Sequence, residues 1–345
     1  MVVYRRGGAV NDRSKLPDPA RGSFETVPAS VSAVVLTYRR PRLAGEVVRS
    51  LIDVEGVAPE RVVVVVNGSG GLDDCGLEAA VTTVRLPRNL GPAGGFASGM
   101  EVAFADPSTR WAYLCEDDVG LFSLPAPRLA DIVARAESVS APPGLPVGAV
   151  VAYGRRFVGR GAHTANSVPQ PGAPGELEPV DVASWGATLL SRSVFDAGVL
   201  PDPDWFFGLE DFDFFCRVRR AGFQVLVDGI SARAVADQQT SAGRDEALRH
   251  RRPIDVHEPW RSYYHARNSV LFARRHGRPS WYVWHLAYSA RHLQNATDWA
   301  ERRAIVHGLW DGARGRTGEH PGYTRTVAEL SRTAGGTDPA DASPS

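Results

Sequence analysis

The first third of the chain alternates short apolar runs with longer segments of helical spacing. VSAVVLTY (31–38), RVVVVV (61–66), VTTVRLP (81–87) and RWAYLC (110–115) are rich in β-branched and apolar residues. PRLAGEVVRSLIDV (41–54) and GGFASGMEVAFA (94–105) carry the spacing of helices that lie between them. Such a pattern predicts an α/β domain with a mostly parallel sheet and helices on its faces. Further on, VASWGATLLSRSVFDAGVL (182–200) predicts a strand followed by a short helix, and LEDFDFFCRVRRAG (209–222) a helix stopped by Gly222. SAPPGLPVGAVVAYG and TANSVPQPGAPGELEPVD predict loops around short strands, and two amphipathic helices are expected after residue 278.

Gly, Pro, Arg and Asp dominate both ends. The expected organisation is a loosely ordered arm over 1–29, an α/β domain over 30–277, a helical extension over 278–330 and a tail over 331–345. No internal repeat is present. The start has no apolar core of signal-peptide length, and no stretch reaches a membrane span.

Composition narrows the partners. Lys+Arg and Asp+Glu are both 39, so no basic excess points to nucleic acid. Three cysteines, Cys75, Cys115 and Cys216, suit reduced thiols better than a disulfide framework. The cysteine usage predicts a cytoplasmic protein.

In parallel α/β sheets, ligands bind beyond the carboxyl ends of the strands, and the distinctive motifs of this chain fall there. WAYLCEDDVG (111–120) ends an apolar strand on Glu116, Asp117 and Asp118, a common way to hold Mg²⁺ or Mn²⁺ on a diphosphate. A solvated turn is the plain alternative. RNLGPAGGFASGM (88–100) has glycines that let a loop approach a ligand, or let a helix pack closely on the sheet. In WFFGLEDFDFFCR (205–217), Glu210, Asp211 and Asp213 begin a helix, either as helix-start acids or as a general base facing a pocket. YYHARN (263–268) reads more readily as core plus surface, and Trp185, His257 and His265 as structural residues.

Taken together and in this order, VVLTYRRP, VVVVVNGSGG, RNLGPAGGFASGM, YLCEDDVG, WGATLLSRSVF, FGLEDFDFFCR and YYHARN resemble a family 2 glycosyltransferase of the GT-A type. The galactofuranosyl- and rhamnosyltransferase branch is nearest, over about residues 31–275. The resemblance implies a Rossmann-like, mostly parallel sheet and a nucleotide-sugar donor. Thr37, Arg39 and Asn67 would line the nucleotide pocket. Arg88 and Asn89, with Gly94 and Gly95 of the glycine loop, would contact the donor, and Asp117 would lie near the ribose. Glu116 and Asp118 match the outer acids of the metal-binding Asp-x-Asp motif, implying Mn²⁺ or Mg²⁺. Trp185 falls at an acceptor-site aromatic. Asp211 matches the catalytic base, with Glu210 beside it.

The implied chemistry is an inverting transfer from a UDP- or dTDP-sugar to a glycan, lipid-linked or small-molecule acceptor, with the inner face of the membrane as an alternative place of action. A catalytically impaired nucleotide-sugar-binding protein is the rival reading. Three departures bear on it. Glu116 replaces the first Asp, Val66 stands at a usual Asp, and Ala234 stands at a His that often ligates the metal. Asp237 or His257 would be the substitutes, which leaves the third protein ligand open.

Overall fold

The computed structural model describes residues 27–68, 80–117, 129–139, 144–159, 164–167, 177–233, 258–277, 279–296 and 298–323. Its first elements are those the pattern predicts: β1 (Val31–Thr37), α1 (Pro41–Arg49), β2 (Val62–Asn67), β3 (Thr82–Leu86), α2 (Gly91–Ala105) and β4 (Trp111–Glu116). Then come α3 (Leu129–Ser138), β5 (Val147–Val151), β6 (Gly154–Phe157), β7 (Thr164–Ser167), β8 (Leu177–Pro179), β9 (Val182–Ala183), β10 (Thr188–Ser191) and α4 (Arg192–Asp196). The chain continues through α5 (Glu210–Arg220), β11 (Gln224–Asp228), α6 (Pro259–His276), α7 (Pro279–Asn295) and α8 (Trp299–Ala313).

The main sheet has eight strands in the order β3-β2-β1-β4-β10-β5-β11-β8. It is mostly parallel; β10 and β8 run against the rest. A small sheet of β7, β6 and β9 flanks it. Alternate residues of β1 explain the two layers. Val31, Ala33 and Val35 pack under α1 and α3, and Val34 and Leu36 pack under α2, α4 and α5. Val62–Val66 of β2 are buried throughout, at about 1.5–3 kcal/mol for each side chain removed from water. The α/β expectation of a mostly parallel sheet with helices on both faces and a C-terminal helical segment is met.

Two local differences have physical causes. Helix α2 starts at Gly91 instead of residue 94, because Asn89 Oδ1 accepts from the Gly91 amide at 2.9 Å and supplies a turn ahead of the helix. Strand β10 is antiparallel to both its neighbours, a pairing that apolar runs alone do not encode. Beyond the sheet, α8 lies close against α6. Cβ atoms on Gly308 and Gly312 would fall 2.3 Å from Tyr263 O and 2.6 Å from Arg267 O, so these positions admit only glycine at this approach. Asp298 caps α8 by accepting from the Glu301 amide at 2.7 Å.

Candidate active site

The first two crossovers end on a buried polar knot. Thr37, the last residue of β1, donates its hydroxyl to Asp117 Oδ2 at 2.7 Å. Arg40 Nε donates to the same oxygen at 3.1 Å and its Nη2 pairs with Oδ1. Asp117 is 1% exposed, and these partners offset the charge of its buried carboxylate. Thr37 at the end of β1 and Asp117 just past β4 therefore lie together, and they hold each other. Arg39 takes a left-handed φ of 56° beside them, with its guanidinium 5.3 Å from the Tyr38 ring centroid.

Asn67, at the end of β2, spends its amide on the glycine loop. Its Nδ2 donates to Gly91 O at 3.0 Å, and its Oδ1 accepts from Leu90 N at 2.8 Å. Its role in this geometry is to set the start of α2. Arg88 is exposed at the loop, and Asn89 closes the turn into Gly91. Gly94 and Gly95 are buried. Cβ atoms there would fall 2.5 Å from Leu90 Cβ and 2.3 Å from Leu36 Cδ1, so both serve the packing of α2 rather than presenting backbone to a ligand. Gly91 has φ +72°, and a Cβ on it would fall 1.8 Å from Phe206 O. The head of the glycine loop thus touches the loop that leads into α5.

That loop is conformationally costly. Phe206 and Leu209 have φ of 57° and 64°, and such non-glycine residues persist only where neighbours over-determine them. The neighbours belong to α6. Asn268 Nδ2 shares its two N–H groups among Trp205 O, Phe207 O and Gly208 O, at 2.9, 2.8 and 2.7 Å. Arg267, almost wholly buried, donates Nη2 to Trp205 O at 2.9 Å and Nε to Asn268 Oδ1 at 2.9 Å. The YYHARN motif, whose plain reading was core plus surface, therefore braces the entry to the acidic helix.

At the first turn of α5, Glu210 is buried and Asp211 half-buried. Burial pushes the Asp211 carboxyl up to about 6, against the Phe212 amide that donates to its Oδ1 at 2.8 Å and the charge of Arg155. Burial also raises Glu210, and the charges of Asp211 and Glu116 add to it. Glu210 Oε2 is buried and has no hydrogen-bond partner among the described residues. Asp213 leaves the group. Although burial opposes its charge, His276, Arg217 and Arg275 surround its carboxyl and hold it below the usual range. It ties α5 to α6.

Glu116 closes β4, and its charge adds to the burial and the Asp211 charge that raise Glu210, so the strand-end acid and the acids of the α5 start influence each other electrostatically. The orphaned Glu210 oxygen fits a site that expects a cation or a proton nearby. Asp118, Ala234, Asp237 and His257 lie outside the described residues. Trp185, expected at the acceptor, is a core aromatic here: 3% exposed, with ring centroids 5.0 Å from Phe96 and 5.1 Å from Phe214. The apolar residues of α2 and α5 claim both its sides. Among the described residues, the one trio of metal-type ligands within 4.8 Å is His307, Asp311 and His320, away from the strand ends. Tyr263 and Arg316 already occupy its Asp311 carboxylate, at 2.8 and 3.1 Å.

Sequence reasoning missed Arg155, on β6, which faces Asp211 electrostatically and is held by Tyr153 Oη at 2.9 Å. Its only signal was an arginine pair in a Pro/Gly-rich region. It also missed the bracing role of Arg267 and Asn268, which needs the fold to bring α6 behind α5.

No protein-family model matches the chain. Among curated proteins, the chain is similar to glycosyltransferases of the galactofuranosyl-transferring kind, the class that the motif order resembles. The relative is galactofuranosyltransferase GlfT1 of Mycobacterium tuberculosis, 38% identical over 96 residues in both strain CDC 1551 and strain H37Rv. The match covers 26% of this chain and 30% of the relative's length. Among solved structures, GalNAc-T7 with UDP, GalNAc and Mn²⁺ superposes with a TM-score of 0.43 at 15% identity, over 58% of this chain and 42% of that one. Mannosyltransferase PcManGT from Pyrobaculum calidifontis, in complex with GDP-Man and Mn²⁺, gives 0.38 at 16% identity over 86% and 90%.

Proposed function

We propose that the chain is an inverting glycosyltransferase that moves a sugar from a nucleotide-sugar donor to an acceptor hydroxyl. The observation that carries the reading is Asp211: a half-buried carboxylate raised to about 6, at a helix start that Arg267 and Asn268 brace from behind. A base tuned toward neutral pH is what proton abstraction from a hydroxyl requires.

In this reading the acceptor oxygen attacks the anomeric carbon from the face opposite the leaving group. Its proton passes to an Asp211 carboxylate oxygen, and the bond from the anomeric carbon to the diphosphate breaks. The bonding pair leaves with the nucleoside diphosphate. The charge of Arg155 opposes the rise of Asp211 and favours its ionised form. Glu116, with Asp118, would hold a divalent cation. When bound, that cation offsets charge growing on the diphosphate. Thr37, Arg40 and Asp117 fix the first strand end, and Asn67 and Asn89 fix the loop that would face the donor.

Similarity to a galactofuranosyltransferase supports a galactofuranose-like sugar; the UDP- or dTDP-linked galactofuranose- or rhamnose-like donor and the glycan, lipid-linked or natural-product acceptor are proposed from the motif resemblance. The rival reading, a binding protein without turnover, is motivated by Val66 and Ala234. A panel of UDP-, dTDP- and GDP-sugars assayed for nucleotide release with Mn²⁺ separates the two. Release from at least one donor supports the transferase. Donor-dependent thermal stabilisation without any release supports the binder.

A further inference from the structure

The C-terminal helices present an apolar and arginine-rich face that the proposed chemistry does not use. On α8, Trp299, Val306 and Trp310 are 77%, 54% and 55% exposed, at the spacing of one helical face. On α7, Val283 and Leu286 are 70% and 54% exposed. A cleft of about 660 Å³ lies between the two helices, lined by Leu293, Trp299, Arg302, Arg303, Val306 and Trp310.

The charge on this face has one sign. Helix α7 contains no acidic residue. Both acids of α8, Glu301 and Asp311, are buried, with carboxylates engaged by Ser262 and by Tyr263 and Arg316. Arg302, Arg303 and Arg314 are exposed, and the Arg314 guanidinium lies 4.1 Å from the Trp310 ring centroid. Asp298, which caps α8, and Glu319 beyond its end are the exposed acids adjoining the face. Close glycine contacts seat α8 on α6, so the face is built on a rigid support.

From this we propose that the α7–α8 face docks on the surface of an anionic lipid bilayer, with the indoles of Trp299 and Trp310 in the headgroup layer and the arginines on lipid phosphates. Exposed indole beside guanidinium is the pairing that interfacial helices use, since Trp prefers the headgroup boundary and Arg adds attraction to anionic lipid. No described helix is long and apolar enough to cross a membrane, so the contact lies in the plane of the surface. A second copy of the chain is a poorer occupant, because it would bring the same arginines against each other. The inference is independent of the catalytic reading.

The test is co-sedimentation of the full chain with vesicles of phosphatidylcholine alone and of equal parts phosphatidylcholine and phosphatidylglycerol, at low salt. The expected result is binding to the mixed vesicles only. It should weaken about fivefold for each arginine removed in Arg302→Ala and Arg303→Ala, and be lost in the Trp299→Ser/Trp310→Ser double variant. These surface variants should melt as the unaltered chain does. Absence of binding to the mixed vesicles would overturn the proposal, as would undiminished binding by a double variant that melts normally. Light scattering that shows a lipid-free dimer, broken by Trp310→Ser, would overturn it in favour of a contact between copies.

Discussion

The side-chain amide of Asn268 donates to the backbone carbonyl of Gly208 at 2.7 Å, two residues ahead of Glu210 and three ahead of Asp211. The same amide reaches Phe207 O and Trp205 O, so one side chain on α6 fixes the strained approach to the acidic helix. Asn268→Ala leaves three carbonyls without this donor and frees the loop. The expected effect is a fall in kcat of about 10–100-fold, as for small displacements of a reacting group, with donor KM nearly unchanged. The pH profile of kcat separates this from general destabilisation: freeing the loop should move the Asp211 midpoint from about 6, whereas a lower active fraction scales kcat and leaves the midpoint where it was.

Gly91 and Phe206 meet in the same region, and the contact makes a second prediction. Gly91→Ala adds a Cβ that would fall 1.8 Å from Phe206 O, at a backbone φ of +72°. The left-handed conformation alone costs about 1–3 kcal/mol in a non-glycine residue. Thermal melting should show at least that loss. Donor binding and transfer should fall together, because both loops must shift.

Much of this site was legible in the sequence and some was not. The apolar runs at 31–38, 61–66 and 110–115 became β1, β2 and β4 because apolar runs between helices have few other stable homes. Their ends then had to carry Thr37, Asn67 and Glu116 to one edge of the sheet. The glycine loop was legible as a special segment, but its glycines divide the work. Gly91 meets the α5 approach, whereas Gly94 and Gly95 face Leu90 and Leu36, a split that depends on which side of α2 the sheet lies. That Trp185 packs between Phe96 and Phe214 was not legible, because an aromatic at an expected acceptor position looks the same in one dimension as a core aromatic. Arg267 and Asn268 had no signal of their own, since their partners are backbone carbonyls about 60 residues away in sequence.

The knot at the end of β1 is a stability device. Arg40→Met removes the cation that compensates Asp117, a carboxylate 1% exposed. Breaking such a pair on one side typically costs about 3–5 kcal/mol. Arg40 itself is partly exposed, so the lower end of that range is expected in denaturant titrations. Thr37→Val should lose about 1 kcal/mol, the worth of one hydrogen bond.

Asp211 should weaken the fold in return for its reactivity. Its carboxyl is held near 6 in the folded chain, above the ordinary 3.8. The proton it retains between those values is released as pH rises, and the buried charge then opposes folding. Stability attached to the protonated group is therefore fully present below about pH 4 and lost through pH 6. Asp211→Asn should melt like the unaltered chain at pH 4 and above it at pH 7, by an amount on the order of 1–3 kcal/mol. Equal melting at both pH values would contradict the raised carboxyl.

If Glu116 helps hold a divalent cation, Mn²⁺ should tighten nucleotide binding in calorimetry. Glu116→Gln should remove most of the difference between metal and chelator, about tenfold or more in Kd for a lost charged ligand. Identical affinities with Mn²⁺ and with chelator in the unaltered chain would count against this assignment.

The central claim is that Asp211 takes the acceptor proton, and single-turnover transfer by Asp211→Asn tests it most directly, alongside donor binding to the same variant. The account predicts donor affinity within about twofold of the unaltered chain and a transfer rate lower by about 10²–10⁴, the usual contribution of a general base. Transfer at an unchanged rate with intact donor binding would contradict it.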